Sequence, residues 1–202
     1  MALPATDAFT GADGTALTTY SASWTYNQGT FALINNNVRP SNAAQCLARW
    51  NADTFNDNQY SKGAWPAVYG NYSGVAVRID TGGAVTAYTY YANEVDRQLA
   101  KIVAGTRTQL GSSGAAPVDG NTCELQASGT TITPMLNGST DATIGAQTDS
   151  AIASGAAGLS GQGNTDARFD NWEGGNLAGG GGGAPPSILP ILSDYYRRKK
   201  VS

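Results

Sequence analysis

Histidine is absent from the 202-residue sequence, and this absence excludes several kinds of chemistry. Histidine is the usual general base near neutral pH and a frequent metal ligand. A Ser-His-Asp triad, a Cys-His pair and a histidine zinc site are therefore all excluded. The two cysteines, Cys46 and Cys123, are too few for a structural zinc site or a disulfide-rich scaffold. They either form one bridge or stay buried as thiols, and we favour thiols because nothing else indicates an oxidising compartment.

Charged residues are also scarce, at 13% of the chain, whereas about a quarter is usual. Glycine, serine, threonine and asparagine are abundant instead. This composition predicts short strands with many turns and a surface that is polar through hydroxyl and amide groups. It is typical of extracellular lectin-like domains and of virion shell proteins.

Long apolar runs are missing. Residues 1–4 show neither the basic segment nor the apolar segment of a secretory signal. The apolar stretch at residues 188–192 is interrupted by Pro190 and is too short to span a bilayer. The sequence therefore predicts synthesis in a host cytoplasm without a signal peptide, and no membrane span.

What the sequence does contain is a period-two alternation of apolar and polar residues, which predicts half-buried strands. Residues 75–79 alternate in this way, the Gly82-Gly83 turn follows, and residues 85–91 return as the second strand of a hairpin. Further strands are predicted over residues 99–106, 123–127 and 130–136, with a turn at Asn137-Gly138. No amphipathic helical stretch of useful length is present. The predicted fold class is all-β, an antiparallel β-sandwich.

Residues 51–73 interrupt the alternation with aromatic side chains among polar ones, which predicts a long functional loop. Aromatic faces stack on sugar rings, and amides bind sugar hydroxyls. The candidate glycan-binding residues are Asn58, Tyr60, Trp65, Tyr69 and Tyr72. The same aromatics are equally suited to close one end of the sandwich or to form a contact between subunits.

The C-terminal region differs in composition from the rest. Residues 1–177 form the predicted sandwich, residues 178–186 a Gly/Pro-rich linker, and residues 187–202 an arm. Residues 1–178 carry a net charge of −6 and residues 179–202 a net charge of +3. We expect the arm to bind a protein partner rather than nucleic acid or an anionic membrane. Its predicted binding residues are Ile188, Leu189, Ile191, Leu192, Tyr195, Tyr196, Arg197, Arg198, Lys199 and Lys200.

The two ends of the body resemble concanavalin-like (laminin-G-like) jelly rolls, over roughly residues 5–177. The residues that carry the resemblance are Asp7-Ala8-Phe9, Asp13-Gly14-Thr15-Ala16-Leu17, Trp24, Gly29-Thr30-Phe31, Asn137-Gly138, Gly155-Ala156-Ala157-Gly158-Leu159 and Arg168-Phe169-Asp170-Asn171-Trp172. The resemblance implies a jelly-roll β-sandwich in which the last strand returns beside the first. Such folds include lectins, hydrolases and structural modules, and related modules occur in phage particles and bacterial surface proteins.

Hydrolases of this fold use two carboxylates on one strand, spaced as Glu-x-Asp-x-x-Glu. The sequence offers Glu94-Val95-Asp96, but Leu99 and Ala100 stand where the second catalytic carboxylate is needed. A glycosidase mechanism is therefore disfavoured, and we expect no enzymatic activity.

Calcium is the one cofactor considered, because jelly rolls often bind it where the termini meet. Asp7, Asp13 and Asp170 are the candidate ligands. The alternative is that these aspartates cap turns through their own backbone.

These observations together predict a non-enzymatic structural protein of a bacteriophage virion. It would decorate or cement the capsid or lie on the tail surface, anchored to other virion proteins by the C-terminal arm, and it would form a homo-oligomer. The alternative function is a glycan-binding, lectin-like attachment module, and a glycoside hydrolase is the least favoured.

Overall fold

The computed structural model describes residues 3–68, 70–163 and 167–178. Within these residues the chain forms sixteen strands and one short helix, α1 (Leu17–Tyr20). The strands are β1 (Ala5–Asp7), β2 (Trp24–Gln28), β3 (Phe31–Ile34), β4 (Asn37–Pro40), β5 (Asn42–Trp50), β6 (Gln59–Ala67), β7 (Ser73–Ile79), β8 (Ala87–Ala92), β9 (Asp96–Val103), β10 (Thr106–Ala115), β11 (Thr122–Ser128), β12 (Thr131–Leu136), β13 (Ser139–Thr140), β14 (Gln147–Thr148), β15 (Ala156–Gly163) and β16 (Arg168–Asn176). In this part of the chain no helix is long and apolar enough to cross a membrane.

The strands make two antiparallel sheets that pack face to face, as predicted. One sheet has seven strands in the order β10-β9-β8-β7-β15-β5-β2. The other has nine, with the main order β13-β12-β11-β6-β16-β4-β3, and with β1 paired to β16 and β14 to β12. The first and last strands are neighbours, and Asp7 lies opposite Trp172. The jelly-roll sandwich and the return of the last strand beside the first are both confirmed.

The core between the sheets includes a cluster of three tryptophans. Trp24 and Trp50 belong to the seven-stranded sheet, and Trp172 belongs to the nine-stranded sheet. The Trp172 ring stacks on Trp50 at 5.2 Å and meets Trp24 edge-on at 4.7 Å between ring centroids. Its indole Nε1 donates to Ser61 Oγ at 2.9 Å. These large buried rings join the two sheets where the first and last strands meet.

The predicted hairpin over residues 74–91 is confirmed as β7 and β8, which pair antiparallel. The strand predicted over residues 99–106 is only partly right. The observed β9 ends at Val103, and Ala104-Gly105 turns the chain into β10 with positive φ values of 49° and 82°. Alanine is not a typical turn residue, so the period-two pattern did not indicate that the strand ends before Ala104.

The long loop predicted over residues 51–73 is wrong, because its middle is β6, a central strand of the nine-stranded sheet. Buried and half-buried residues alternate along β6 without a break. The inward positions include Gln59, Ser61 and Gly63, which are small or polar. A period-two search based on apolar residues therefore missed the strand.

Two tyrosines of β8 hold the segment that follows β13 against the sandwich. Tyr90 donates to Asp141 Oδ2 at 2.9 Å, and the buried Arg97 guanidinium binds both oxygens of the same carboxylate at 2.5 and 2.8 Å. Tyr88 donates to Asp149 Oδ1 at 2.7 Å, and Lys101 pairs with that carboxylate at 2.5 Å. Asp141 is 1% exposed and Arg97 8%, so this ion pair is shielded from water.

Cys46 and Cys123 are buried and are not joined by a disulfide. Cys46 lies on β5 of the seven-stranded sheet, and Cys123 lies on β11 of the nine-stranded sheet. The prediction of two buried thiols is confirmed.

Candidate functional site

One face of the seven-stranded sheet carries a band of aromatic, amide and charged side chains. Val75, Tyr90 and Leu99 are aligned across β7, β8 and β9 and point into the core. Their neighbours Tyr91 and Gln98 therefore point to the outer face, since side chains alternate along a strand. We call this band the tyrosine–amide row, and it comprises Gln45, Tyr72, Tyr91, Asp96, Gln98, Arg107 and Gln162.

Two tyrosine rings form the centre of the row. Tyr72 immediately precedes β7, and its ring meets Tyr91 edge-on, with centroids 4.7 Å apart. The Arg107 guanidinium lies over the Tyr91 ring, 5.6 Å from its centroid. Tyr91 is therefore 4% exposed, whereas Tyr72 is half-buried and Arg107 is exposed. Of the two rings, Tyr72 is the more accessible to a ligand.

Hydrogen bonds lock the polar groups of the row to one another. The Tyr72 hydroxyl donates to Asp96 Oδ1 at 2.8 Å and accepts from Gln98 Nε2 at 3.0 Å. Gln98 Nε2 also donates to Asp96 Oδ2 at 2.5 Å. Arg107 donates to the Tyr91 hydroxyl and to Gln98 Oε1. These five side chains are thus held in one arrangement before any ligand arrives.

Both tyrosines of the row remain protonated near neutral pH. Burial and the hydrogen bond to Asp96 raise the pKa of Tyr72 to about 12. Burial also raises the pKa of Tyr91, against the lowering effect of Arg107. Besides the Asp96 carboxylate, the row therefore presents neutral hydroxyls, amides and one exposed cation.

A small pocket lies at the β5–β15 side of the row. Its volume is about 160 Å³, and it is lined by Gln45, Tyr91, Arg107, Gly161 and Gln162. Gln45 and Gln162 face each other across β5 and β15 in the sheet register. Two primary amides and a guanidinium therefore surround a space beside an aromatic ring.

Small residues lie beneath the centre of the row, on β7 and β15. Gly74 lies opposite Tyr91 and beside Ser160, and a Cβ at Gly74 would lie 2.3 Å from the Tyr90 carbonyl oxygen. Only glycine fits there. Ser160 Oγ and Gln28 Oε1, at the same level of the sheet, are buried and have no hydrogen-bond partner within the described residues. Buried polar atoms of this kind are unusual and call for a ligand or a water.

Chemically, this arrangement suits a neutral polyhydroxylated ligand. Amides donate to and accept from hydroxyls, a guanidinium donates to them, and a tyrosine ring packs against the C–H face of a sugar. Asp96 is the only carboxylate of the row, and its two oxygens already accept hydrogen bonds.

The predicted glycan residues do not form one site in the structure. Tyr72 belongs to the tyrosine–amide row, but Tyr60 is on the outer face of the other sheet, where its hydroxyl donates to Glu173 at 2.5 Å. Trp65 is 0% exposed and packs against Tyr90 in the core, so its predicted stacking on a sugar is wrong. Asn58 Oδ1 accepts from the Gly129 amide at 2.7 Å. Tyr69 lies outside the described residues.

Sequence reasoning missed most of the row. Tyr91 lies on a predicted strand and Gln98 on a partly predicted one, but Arg107 lies on β10, which the sequence did not predict. The sequence feature that could have identified the row is the polar or aromatic character of the outward-facing positions on neighbouring strands. Without the strand order, however, nothing indicated that these positions meet.

Asp7 serves as a structural acceptor where the first and last strands meet. Its Oδ1 accepts from the Phe9 amide at 2.8 Å and from the Tyr20 hydroxyl at 3.0 Å. Its Oδ2 accepts from Trp24 Nε1 at 2.8 Å. This is the turn-capping role that was the alternative to calcium binding.

The other two calcium candidates lie in different surroundings. Burial, together with the charge of Asp7, raises the pKa of Asp170. Asp13 Oδ1 instead accepts from the Asn35 amide at 2.6 Å. Across residues 3–68, 70–163 and 167–178, no group of three or more acidic or thiol side chains could hold a metal ion. Calcium binding stays a prediction.

The glycosidase-like segment Glu94-Val95-Asp96 leads into the start of β9 and does not form a pair of catalytic carboxylates with Leu99 or Ala100. Asp96 is part of the tyrosine–amide row, Val95 is 72% exposed, and Leu99 and Ala100 are fully buried.

The predicted arm residues from Ile188 to Lys200 lie outside the described part of the chain.

No family model matches the sequence, and no curated protein matches it. Solved structures do match. The carbohydrate binding module CBM66 from Bacillus subtilis is 15% identical, with a TM-score of 0.55 over 76% of this chain and 92% of that one. A protein of unknown function with a galectin-like fold, also from Bacillus subtilis, is 10% identical, with a TM-score of 0.55 over 82% and 97%. The Crh5 transglycosylase in complex with NAG is 11% identical, with a TM-score of 0.55 over 89% and 86%.

Proposed function

We propose that this concanavalin-like jelly roll is a non-enzymatic glycan-binding module whose site is the tyrosine–amide row. The observation that carries the proposal is the prearranged set of Tyr72, Gln98 and Arg107 on one sheet face. The similar solved structures include a carbohydrate binding module and an enzyme in complex with NAG. These similar structures support the class of ligand, and the row supports the place.

Binding would proceed with little loss of side-chain freedom. Each polar side chain of the row that makes a hydrogen bond to a neighbour is already ordered, so the entropy lost on binding is small. A sugar ring would pack on the half-buried Tyr72, and its hydroxyls would bind the amides of Gln45 and Gln162. The partnerless Ser160 and Gln28 oxygens would gain hydrogen bonds, directly or through water.

The chemistry of the row favours binding over hydrolysis. Glycosidases of the two-carboxylate type need an acid and a second carboxylate on opposite sides of the scissile bond. The row supplies only Asp96, whose two oxygens are engaged by Tyr72 and Gln98. A bound glycan would therefore be held and released unchanged.

Tyr72→Ala is expected to weaken glycan binding about tenfold, because loss of an aromatic contact of about 1.4 kcal/mol corresponds to that ratio. Tyr60→Ala is the matched control. Both tyrosines are half-buried and donate to a carboxylate, but they lie on opposite sheets. The measurement is a glycan array with the unaltered protein, followed by titration calorimetry of both variants on the best ligand.

Equal loss with both variants, or loss with Tyr60→Ala alone, would move the site away from the tyrosine–amide row. Failure of the unaltered protein to retain any glycan would remove the proposed function itself. Far-UV circular dichroism checks that each variant is folded, so that a loss of binding is not caused by unfolding.

The virion hypothesis stands beside this proposal and rests on sequence. The acidic body and the basic, apolar-tipped segment of residues 179–202 favour an attachment role for that segment. A particle-bound glycan module would combine both functions, located on a capsid or tail surface.

Removal of residues 179–202 is expected to abolish cosedimentation with undecorated virus particles and to leave folding intact. Every strand of the described sandwich precedes residue 179, so the deletion removes none of them. Cosedimentation at low and high salt measures attachment. Undiminished sedimentation of the shortened protein would contradict the anchoring role.

A further inference from the structure

Arg78 is a buried cation that pairs with no carboxylate in the part of the chain that the structure describes. Arg78 is only 2% exposed. The guanidinium donates hydrogen bonds of 2.7–3.0 Å to three backbone carbonyl oxygens, those of Asp57, Gly129 and Ile152. Burial lowers the pKa of Arg78, and electrostatic interactions with Tyr88 and Asp57 oppose that effect only in part. The exposed Asp57 carboxylate is near, but no described carboxylate bonds the buried guanidinium directly.

The hydrogen bonds leave one donor unused. A guanidinium has five N–H groups. Nε uses its single hydrogen on Asp57, and Nη2 uses its two on Asp57 and Gly129. Nη1 donates to Ile152 at 2.8 Å, which accounts for one of its two hydrogens. The second Nη1 hydrogen has no acceptor among the described residues.

The backbone at Arg78 is held in an uncommon conformation. Its φ of 52° lies in the left-handed region, which is unfavourable for a bulky residue. The Arg78 amide donates to Gln59 Oε1 at 3.1 Å, and Gln59 Nε2 donates in turn to the Gly155 carbonyl at 2.9 Å. The surrounding structure thus maintains the strain, as is common at ligand-binding positions.

The guanidinium lines a pocket at the end of the sandwich. We call it the Arg78 pocket; its volume is about 370 Å³, and Asp57, Asn58, Arg78, Thr130 and Ser150 are among its lining residues. That volume lies in the range of small-ligand sites. Thr130 and Ser150 are exposed and offer hydroxyls around the buried charge.

We propose that the Arg78 pocket binds a small monocarboxylate, with an acidic monosaccharide as the ligand class. A carboxylate supplies the directly bonded counter-charge that Arg78 lacks, and one of its oxygens accepts the unused Nη1 hydrogen. The ring hydroxyls of a sugar acid would meet the hydroxyls of Thr130 and Ser150. A neutral sugar offers nothing to the cation, so the carboxylate determines selectivity.

This site is separate from the tyrosine–amide row. Arg78 lies near one end of β7, and Gly74 and Tyr72 lie at the other. Seven strand residues span about 20 Å at roughly 3.3 Å per residue. The Arg78 side chain also points to the segments around Asp57 and Ile152 rather than to the outer face of the sheet. The two sites can therefore be tested independently.

The test is titration calorimetry with sodium glucuronate, compared with glucose and sodium acetate at matched ionic strength. Glucuronate is expected to bind saturably and glucose not at all, with acetate weaker than glucuronate. Asp57→Asn is expected to tighten glucuronate binding about two- to fivefold, because it removes an exposed negative charge near the ligand. Arg78 uses the Asp57 carbonyl and not its carboxylate, so this variant leaves the guanidinium contacts in place.

Glu94→Gln is the matched control, since Glu94 is an exposed acid distant in sequence from the pocket, and it should leave the affinity unchanged. Equal responses to glucuronate and glucose would overturn the proposal and leave Arg78 as a structural brace. An unchanged affinity in Asp57→Asn would also overturn it. Loss of glucuronate binding in Tyr72→Ala would place the acid in the tyrosine–amide row and equally contradict the assignment.

Discussion

Replacement of Asp141 by asparagine is expected to lower the free energy of unfolding by about 3–5 kcal/mol, because it leaves the Arg97 guanidinium buried without its counter-charge. Both Asp141 oxygens accept from Arg97, and Oδ2 also accepts from Tyr90. The Thr143 amide donates to Oδ1 at 3.0 Å, so the same carboxylate shapes its own loop. No other described carboxylate pairs with Arg97 and could replace it.

The same ion pair makes stability depend on pH. Burial acts to raise the pKa of Asp141, but hydrogen bonds from Arg97 and Tyr90 outweigh it and lower the pKa below its ordinary value. A group with a lowered folded-state pKa stabilises the fold above its unfolded pKa, which is about 3.9 for aspartate. This stabilisation is lost as the pH falls through the lower, folded-state pKa. The unaltered protein should therefore lose stability below about pH 4, and Asp141→Asn should lose less over that range.

Urea denaturation followed by circular dichroism, at pH 7 and at several pH values below 4, measures both effects. Glu94→Gln removes an exposed acid and serves as the control, with an expected change within about 0.5 kcal/mol. If Asp141→Asn unfolded at the same urea concentration as the unaltered protein, the pair would be contributing nothing net to stability.

Trp172→Ala is expected to lower the free energy of unfolding by about 3–5 kcal/mol, the usual cost of removing a large buried aromatic side chain. The Trp172 ring is 1% exposed and contacts Trp24 and Trp50 of the opposite sheet. Its removal opens a cavity where the first and last strands meet, and it leaves the buried Ser61 hydroxyl without the indole donor.

Trp172→Phe separates packing from hydrogen bonding. Phenylalanine keeps a ring between the sheets and loses the Nε1–Ser61 bond, so we expect a smaller loss of about 1–2 kcal/mol. Far-UV circular dichroism is the suitable probe, because either variant changes the tryptophan fluorescence directly. A loss below about 1 kcal/mol for Trp172→Ala would mean that the surrounding rings collapse into the space.

The sequence predicted the fold correctly where a strand pattern and a turn dipeptide lie next to each other in the chain. The alternation at residues 75–79 and the turn at Gly82-Gly83 correctly predicted the hairpin, although every residue of β7 is buried and the strand is not half-buried. The resemblance at Asp7 and Trp172 correctly brought the first and last strands together. Strand β6 was missed because its inward positions hold Gln59, Ser61 and Gly63, whose burial depends on partners far away in the chain. Ser61, for example, donates to the Gly158 carbonyl.

The candidate site was harder to predict for a topological reason. Tyr72 was singled out from its own segment, but its partners come from β8, β9 and β10. The position of those partners depends on strand order and register, and a single sequence encodes neither directly. Trp65 shows the opposite error, since an aromatic residue in a polar segment looked accessible and is instead in the core.

The labelling rates of the two buried thiols can report how the sandwich opens. Burial raises the pKa of both Cys46 and Cys123, so neither forms a reactive thiolate readily in the folded protein. An alkylating reagent must wait for the chain to open around each sulfur. Because one thiol reports on each sheet, equal labelling rates would mark a single cooperative opening. Unequal rates would show which sheet separates first, without any added probe.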